Sequence, residues 1–434
     1  MLGRIDNEIL KLAGPNIISN ISVPLLSTVD VILMGSISIE HLAAIGIGGM
    51  LFNLIYWNLG FLRMGTTGMI AQAYGRSDTK AIADILSRAV LVALVLAIVI
   101  VICKGILFDF GLYFFGLEGA TEVLTKQYFD MRIWAAPATL LIYVLTGWLF
   151  GMQNAWAPLF VTVAVNVINI LVSYGLVKIA DMGMTGVAMG TVIAQYGGVG
   201  ILVGILWYRY SEILELDWYR VLSNPMALLG FLRLNADIFL RTLCLTLVFA
   251  SFYSLSMALG TVVLAVNVIL QQFVNWMSYI IDGFAYAAES LVGKYKGANV
   301  QSDLEQVVRK CLVWGGVGAV LFSISFILFD HQLVKLFSDD PVAIAASKPL
   351  LVYVWVFPVI AFGSYLWDGI FIGLLATKSM RNSMVMSLGL FLLTLWILPE
   401  YENGEHIWMA LSVFVIARGL IQSWMYNRSG TALS

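Results

Sequence analysis

GPNIISNISVPLLSTVDVILMG, residues 14–35, decides the fold. The run is about as long as the ~20 residues a helix needs to cross hydrocarbon. It carries a single acid, Asp30, near its far end. A carboxylate in that setting costs about 2.5–3.5 kcal/mol on insertion scales, so such acids usually face a cavity or a partner. Pro15 and Pro24 each lack a backbone N–H and crowd the carbonyl four residues back, so each predicts a kink. Asn16, Ser19, Asn20, Ser22, Ser27 and Thr28 give the helix one wettable side. The stretch reads as a bendable first membrane helix with one titrating group. The competing reading is an interfacial acid at a helix end.

The rest of the chain has the same character. Of 434 residues, 60% are hydrophobic and 12% charged, against roughly 25% charged in a soluble domain. The apolar runs are continuous rather than alternating, which predicts helices and not a barrel. The first run lacks a small-residue cleavage site and reads as a membrane helix, not a removable signal. A net charge of -2 with no basic tract gives no sign of a nucleic-acid partner. Cys103, Cys244 and Cys311 stand singly in apolar segments and read as free thiols. His41, His331 and His406 fall in predicted outer loops without metal-ligand spacing. No phosphate-binding glycine loop or paired nucleophile and base is found. An enzyme and an ATPase are therefore not expected, nor is a metal or other cofactor. Energy for transport would come from an H⁺ or Na⁺ gradient. The expected partners are a small organic molecule, the coupling cation and the lipid bilayer, with the chain as a monomer.

Hydropathy predicts twelve spans, near 9–34, 44–70, 84–108, 128–152, 157–178, 184–208, 227–255, 261–292, 304–329, 348–374, 379–397 and 407–426. Residues 1–209 form a first six-helix lobe and 227–434 a second. Segment 210–226, with Glu212, Glu215, Asp217 and Trp218, reads as a cytoplasmic interfacial linker. Most Lys and Arg, among them Arg4, Lys11, Arg76, Arg209, Arg220, Arg309, Lys310, Arg381, Arg418 and Arg428, fall on one side. Lys104, Lys126, Arg132, Lys178, Lys335 and Lys348 fall on the other. This bias predicts a multi-pass protein of the inner (plasma) membrane with both termini cytoplasmic.

The two halves superimpose in sequence at a nearly constant shift of 222 or 221. Leu42-Ala43 falls on Leu264-Ala265, Gly75 on Gly297 and Phe108-Asp109 on Phe329-Asp330. Trp134 and Pro137 fall on Trp355 and Pro358, and Gly147 and Gly151 on Gly369 and Gly373. Six spans per half make this a parallel repeat, a transporter architecture in which two bundles can rock about a cavity and open it to either side in turn.

Polar groups inside the spans mark candidate sites. In the first lobe Asn166 and Asn169, three apart, share a helix face near Ser173 and Thr191. In the second, Asp237 and Arg241 are four apart and predict a pair on one face, and so share a polar cluster with Asp282 and Asp368. Asp282 and Asp368 each precede a glycine and have no local cation in the sequence; Arg63 could reach one of them across the lobes. A cavity-facing cluster and a helix-locking ion pair are both open readings of Asp237–Arg241, whereas Asp282 and Asp368 read as functional acids.

Several stretches together resemble the multidrug and toxic compound extrusion (MATE) family, most closely its DinF-like branch. They are VDVILMG around Asp30, FLRMGTTGMIAQAYG (61–75), LTGWLFGMQNAWAP (145–158), LRLNADIFLRTL (232–243), IDGFAYAAESLVGKYKGA (281–298) and LWDGIFIGLLATKSMRNSM (366–384). The resemblance implies twelve helices in two lobes and export of organic compounds, cationic or amphipathic, driven by inward H⁺ or Na⁺. It implies that Asp30 is the cation-coupling acid, that Pro15 is the kink proline, and that Asn154, Asn169 and Thr191 line the N-lobe cavity. Ser173 stands where the family pattern has an acid, which argues for H⁺ over Na⁺. Phe150 stands where an Arg is common. The alternative is a lipid-linked oligosaccharide flippase of the same superfamily, which would need a strongly cationic cavity.

Overall fold

In hydrocarbon no water is present to pair backbone N–H and C=O groups, so an apolar chain satisfies them within each segment as helix. The structure is a computed structural model that describes residues 3–116, 118–214 and 223–429, the side chains of 23–27 and 429 excepted. Among the described residues there is no strand. The N-lobe holds α1 (Arg4–Gly35), α2 (Ile39–Leu59), α3 (Phe61–Gly75), α4 (Thr79–Ile102), α5 (Lys104–Phe115), α6 (Gly119–Arg132), α7 (Ala136–Gly151), α8 (Trp156–Lys178) and α9 (Gly183–Tyr210). The C-lobe holds α10 (Pro225–Ala258), α11 (Thr261–Gly297), α12 (Gln301–Phe337), α13 (Pro341–Ser347), α14 (Leu351–Gly373), α15 (Thr377–Ile397) and α16 (Glu405–Ser429). Eleven helical runs, from Ile39–Gly75 to Glu405–Arg428, are long and apolar enough to cross a membrane. With α1 ahead of them they match the predicted spans. The chain is an all-α membrane protein of two six-span lobes. Of the predicted linker, Glu212 follows α9 directly, whereas Glu215, Asp217, Trp218 and Arg220 lie outside the described residues.

The repeat is built into the packing. Within the N-lobe, α7 packs on α3, α4 and α9, and α8 on α9. Within the C-lobe, α14 packs on α11, α12 and α16, and α15 on α16. Two pairs of glycines 222 residues apart sit where helices come close. A Cβ at Gly147 would collide with the Arg63 carbonyl oxygen, and one at Gly369 with that of Ala285. Gly151 meets Thr67 and Ile70, and Gly373 meets Glu289 and Val292. Turns repeat too. Ser77 and Asn299 both take φ 56°, and Gln153 and Leu375 take φ 61° and 58°. Each closes a helix in the left-handed conformation that ends many helices. The accompanying bonds also pair up, Asp78 N to Ala73 O with Val300 N to Tyr295 O, and Asn154 N to Leu149 O with Ala376 N to Phe371 O. A left-handed Leu375 is sterically costly, and the turn geometry is kept in spite of it.

The chain divides into two compact units, Ile18–Leu232 and Met1–Ile17 with Arg233–Ser434. The division falls inside α1, two residues after Pro15. The first turns of α1 are anchored in the second unit. Asp6 accepts from Lys310 and, at 3.2 Å, from Trp314 Nε1. Glu8 accepts from Lys294 Nζ at 2.9 Å and Tyr295 Oη at 2.8 Å. Gly283 lets α11 approach α1, since a Cβ there would meet Ile17 and the Ala13 carbonyl. The glycines after Asp282 and Asp368 are thus close-packing positions.

Candidate functional site

The remainder of α1 is zipped to α8 within the N-lobe. Ser19 Oγ donates to Thr162 Oγ1 at 3.2 Å, and Asn166 Nδ2 to the Ser22 carbonyl at 3.0 Å. Asp30 lies near Ser173, and Lys178 Nζ donates to Ser36 Oγ at 2.9 Å. These contacts climb both helices together, so the two run parallel, as a first and a fifth span must. Thr162, Asn166, Asn169 and Ser173 recur at helical spacing and form one polar face.

Asp30 is 6% exposed. The Ser173 hydroxyl and the Arg132 guanidinium are the groups that bear on its charge. The Ser173 hydroxyl faces the carboxylate without reaching hydrogen-bond geometry. Asp30 Oδ1, Ser173 Oγ and Asn169 Oδ1 are all buried with no hydrogen-bond partner among the described residues. Asn169 Nδ2 donates to Thr191 Oγ1 on α9 at 3.0 Å. Gly190, beside Thr191, is pressed against Ser173 so closely that a Cβ would overlap its Oγ and backbone. Ser173 and Asn169 are therefore held rigidly while their acceptor oxygens are left over. A buried acceptor without a donor costs about 1–3 kcal/mol, so the cluster is poised to take up a proton or a cation.

Two N-lobe residues make contacts the sequence did not disclose. Asn154 caps α8, accepting from Ala157 N at 3.1 Å and donating to Tyr210 Oη at 3.1 Å. It sits nineteen residues before Ser173, about 28 Å along the helix, so it is not a neighbour of Asp30. Arg132, read as an outer-loop charge, is half-buried instead. It donates to Tyr128 Oη and lies 4.9 Å over the Phe52 ring. No local sequence signal marked it.

The C-lobe arrangement corrects the sequence reading more strongly. Asp237 does not pair with Arg241. It accepts from Arg381 Nη1 at 2.5 Å and from Thr377 Oγ1 at 3.3 Å, tying α10 to α15. Arg241 pairs with Asp368. Asp368 also accepts from Arg418 Nη2 at 2.6 Å and Gln422 Nε2 at 2.8 Å. Arg418, 2% exposed, donates as well to the Ser364 carbonyl at 3.0 Å. Asp282 lies within electrostatic range of both guanidiniums. Asp368 therefore has two cations from its own lobe. Arg63, proposed as a partner across the lobes, stacks 5.9 Å from the Phe150 ring inside the N-lobe. Arg418 and Gln422 were missed, although their i, i+4 spacing inside an apolar run was readable.

The MatE family model matches residues 15–175 and 238–397, once in each half. The chain is 35% identical over 431 residues, 98% of this chain and 92% of the relative, to the DNA damage-inducible protein F of Escherichia coli K12. It is 26% identical over 451 residues, 97% of this chain and 94% of the relative, to a probable multidrug resistance protein NorM of Synechocystis. Its fold matches a multidrug resistance MATE transporter of the MOP superfamily, solved in the outward-facing conformation, with TM-score 0.89 and 18% identity over 100% of this chain and 97% of that one. The Vibrio cholerae MATE transporter VcmN in the bent form gives TM-score 0.88 and 17% identity, covering 99% and 98%. At those identities the structural likeness speaks for the fold alone. Duplicated packing glycines, a matching model in each lobe and near full-length identity to DNA damage-inducible protein F place the chain in the MatE family of multidrug efflux transporters.

Proposed function

We propose that the chain is a cation-coupled antiporter, with H⁺ as the preferred ion, that exports organic cationic or amphipathic compounds from the cytoplasm across the inner membrane. The substrate class rests on the relatives named for multidrug resistance. The coupling rests on one observation, the buried carboxylate of Asp30, with one oxygen that has no hydrogen-bond partner, beside the unbonded oxygens of Ser173 and Asn169. Protonation removes a charge that costs several kcal/mol in hydrocarbon and supplies an O–H that Ser173 Oγ or Asn169 Oδ1 could accept. In this scheme Asp30 takes a proton from the outer side. The neutral side chain loosens the α1–α8 zipper, α1 rearranges near Pro15, substrate leaves outward and the proton is released inward.

The same leftover oxygens favour a second reading, Na⁺ held by Asp30, Asn169 and Ser173. Separately imposed pH and Na⁺ gradients on proteoliposomes discriminate the two. Efflux driven by a pH gradient alone, and lost in Asp30→Asn, is the expected result. Undiminished efflux by that variant would refute both readings.

A further inference from the structure

The C-lobe carries a groove lined by none of the residues of the Asp30 or Asp368 clusters. It has a volume of about 860 Å³ and is lined by α12, α14 and α16. α14 forms its floor and the other two helices its walls. Its floor exists because of glycine. Gly363 lines the groove, and a Cβ there would meet nothing within 4 Å. Gly419 of α16 lies against the backbone of Gly363 and Ser364, so the two helices close the bottom without filling it.

The groove has a polar end and an apolar end. At the polar end, where α12 begins and α16 finishes, stand Glu305, Arg309, Tyr426 and Asn427; at the other, Val359 and Ile416. From Asn427 to Ile416 is eleven residues, about 16 Å at 1.5 Å each. That is about half of a ~30 Å hydrocarbon core, the depth of one leaflet. At the mouth, Glu305 and Arg309 are four apart on α12, so opposite charges stand about one turn from each other. They are not an ion pair with each other, and Arg309 has no ion-pair or hydrogen-bond partner among the described residues. Glu305 accepts from Gln301 Nε2 at 2.6 Å, which orients it.

The geometry points to a phospholipid site specific for a phosphoethanolamine headgroup. The phosphate sits on Arg309, the primary ammonium on Glu305, and one acyl chain lies in the groove over Gly363. A headgroup that is anionic without an ammonium brings Glu305 at most neutral hydroxyl donors, which are weaker than a charged N–H. A quaternary ammonium brings charge but no N–H to donate. Ordered charge of both signs at one end, an apolar body one leaflet deep and a glycine floor together match this class of molecule.

Native mass spectrometry tests this on the full chain released from bilayers holding equal phosphatidylethanolamine, phosphatidylglycerol and phosphatidylcholine with identical acyl chains. One retained phosphatidylethanolamine is expected, in preference to the other two. Gly363→Leu, which places a side chain in the open groove and suits a helix, should abolish retention with an unchanged unfolding temperature. Arg309→Ala should weaken it about tenfold, the value of one charge-assisted contact. Glu305→Gln should keep a lipid but erase the preference for ethanolamine. Retention by Gly363→Leu equal to wild type, or phosphatidylglycerol retained at or above phosphatidylethanolamine, would overturn the proposal. So would lipid binding seen only after removal of residues 430–434, which would make the chain's own end the occupant.

Discussion

Each lobe buries one aspartate in its helices, and the two are treated in opposite ways. Asp30 has a carboxylate oxygen without a donor and neighbours that are themselves short of donors. Asp368 is saturated, with Arg241, Arg418 and Gln422 all donating to it. A carboxylate paired on every side has little reason to change charge, because removing its charge would strand two buried guanidiniums. A carboxylate oxygen that no donor reaches strands nothing when it takes a proton. The repeat duplicates helices, packing glycines and turns, yet not this bonding; in the proposed scheme Asp30 is the switch and Asp368 a lock.

The largest expected effect is functional. Asp30→Asn should reduce gradient-driven efflux in proteoliposomes to background while the unfolding temperature stays or rises, since a buried charge is removed. Asp368→Asn should do the reverse. Breaking a buried pair by losing one partner costs about 3–5 kcal/mol, so thermal or denaturant unfolding in detergent should show a large loss of stability. Replacing Arg241, Asp368, Arg418 and Gln422 together by Met or Leu should restore most of it, because a well-packed apolar set substitutes for a buried ion network at little or no cost. If that variant also transports, the C-lobe cluster is structural. If it is stable and inactive, the lock is part of the cycle and the contrast between the lobes fails. A smaller effect sharpens the N-lobe side. Ser173→Asp places a second carboxylate beside Asp30, and the cation affinity measured as Na⁺ stimulation of efflux should rise about tenfold, the worth of one added charged ligand. No Na⁺ response would mean that the leftover oxygens do not converge on one ion.

These contrasts were unevenly legible in the sequence. The lobes and their repeat were, because hydropathy marks spans and because Gly147 and Gly369 fall in register at the positions where helix backbones touch. Asp30 was legible as a single acid in an apolar run. Asp368 was legible only as an acid. Its partners come from α10 and α16, far away in the chain, and Arg418, counted with the Lys and Arg of one side, passed as a topological charge although it stands in mid-span. Asp237 and Arg241 misled for the converse reason: i, i+4 spacing permits a pair, but Arg381 and Asp368 on neighbouring helices offered better ones. Asn154 does what a polar residue before a helix often does, accepting from the first turn of α8, and its amide also reaches Tyr210 on α9, a partner its position in the sequence did not disclose.

The weakest expected effect bears on how α1 serves both lobes. Asp6, ahead of the apolar run, is held below the usual carboxylate range, chiefly by its hydrogen bond to Lys310. A group whose folded value is depressed adds stability above its unfolded pKa, near 3.9, and that contribution is lost as pH falls through the folded value. Asp6→Asn should therefore lower the unfolding temperature at pH 7 by less than Asp368→Asn does. The difference from wild type should vanish in acid and shrink in high salt, because solvent and ions reach this pair. The informative readout is efflux. The first turns of α1 belong to the C-lobe unit and Asp30 to the N-lobe unit, so a tether near Asp6 is where a rearrangement around Pro15 would be resisted. Efflux that changes while stability hardly moves would make the anchor part of the switch. Unchanged efflux would confine the switch to Asp30 and its α8 face.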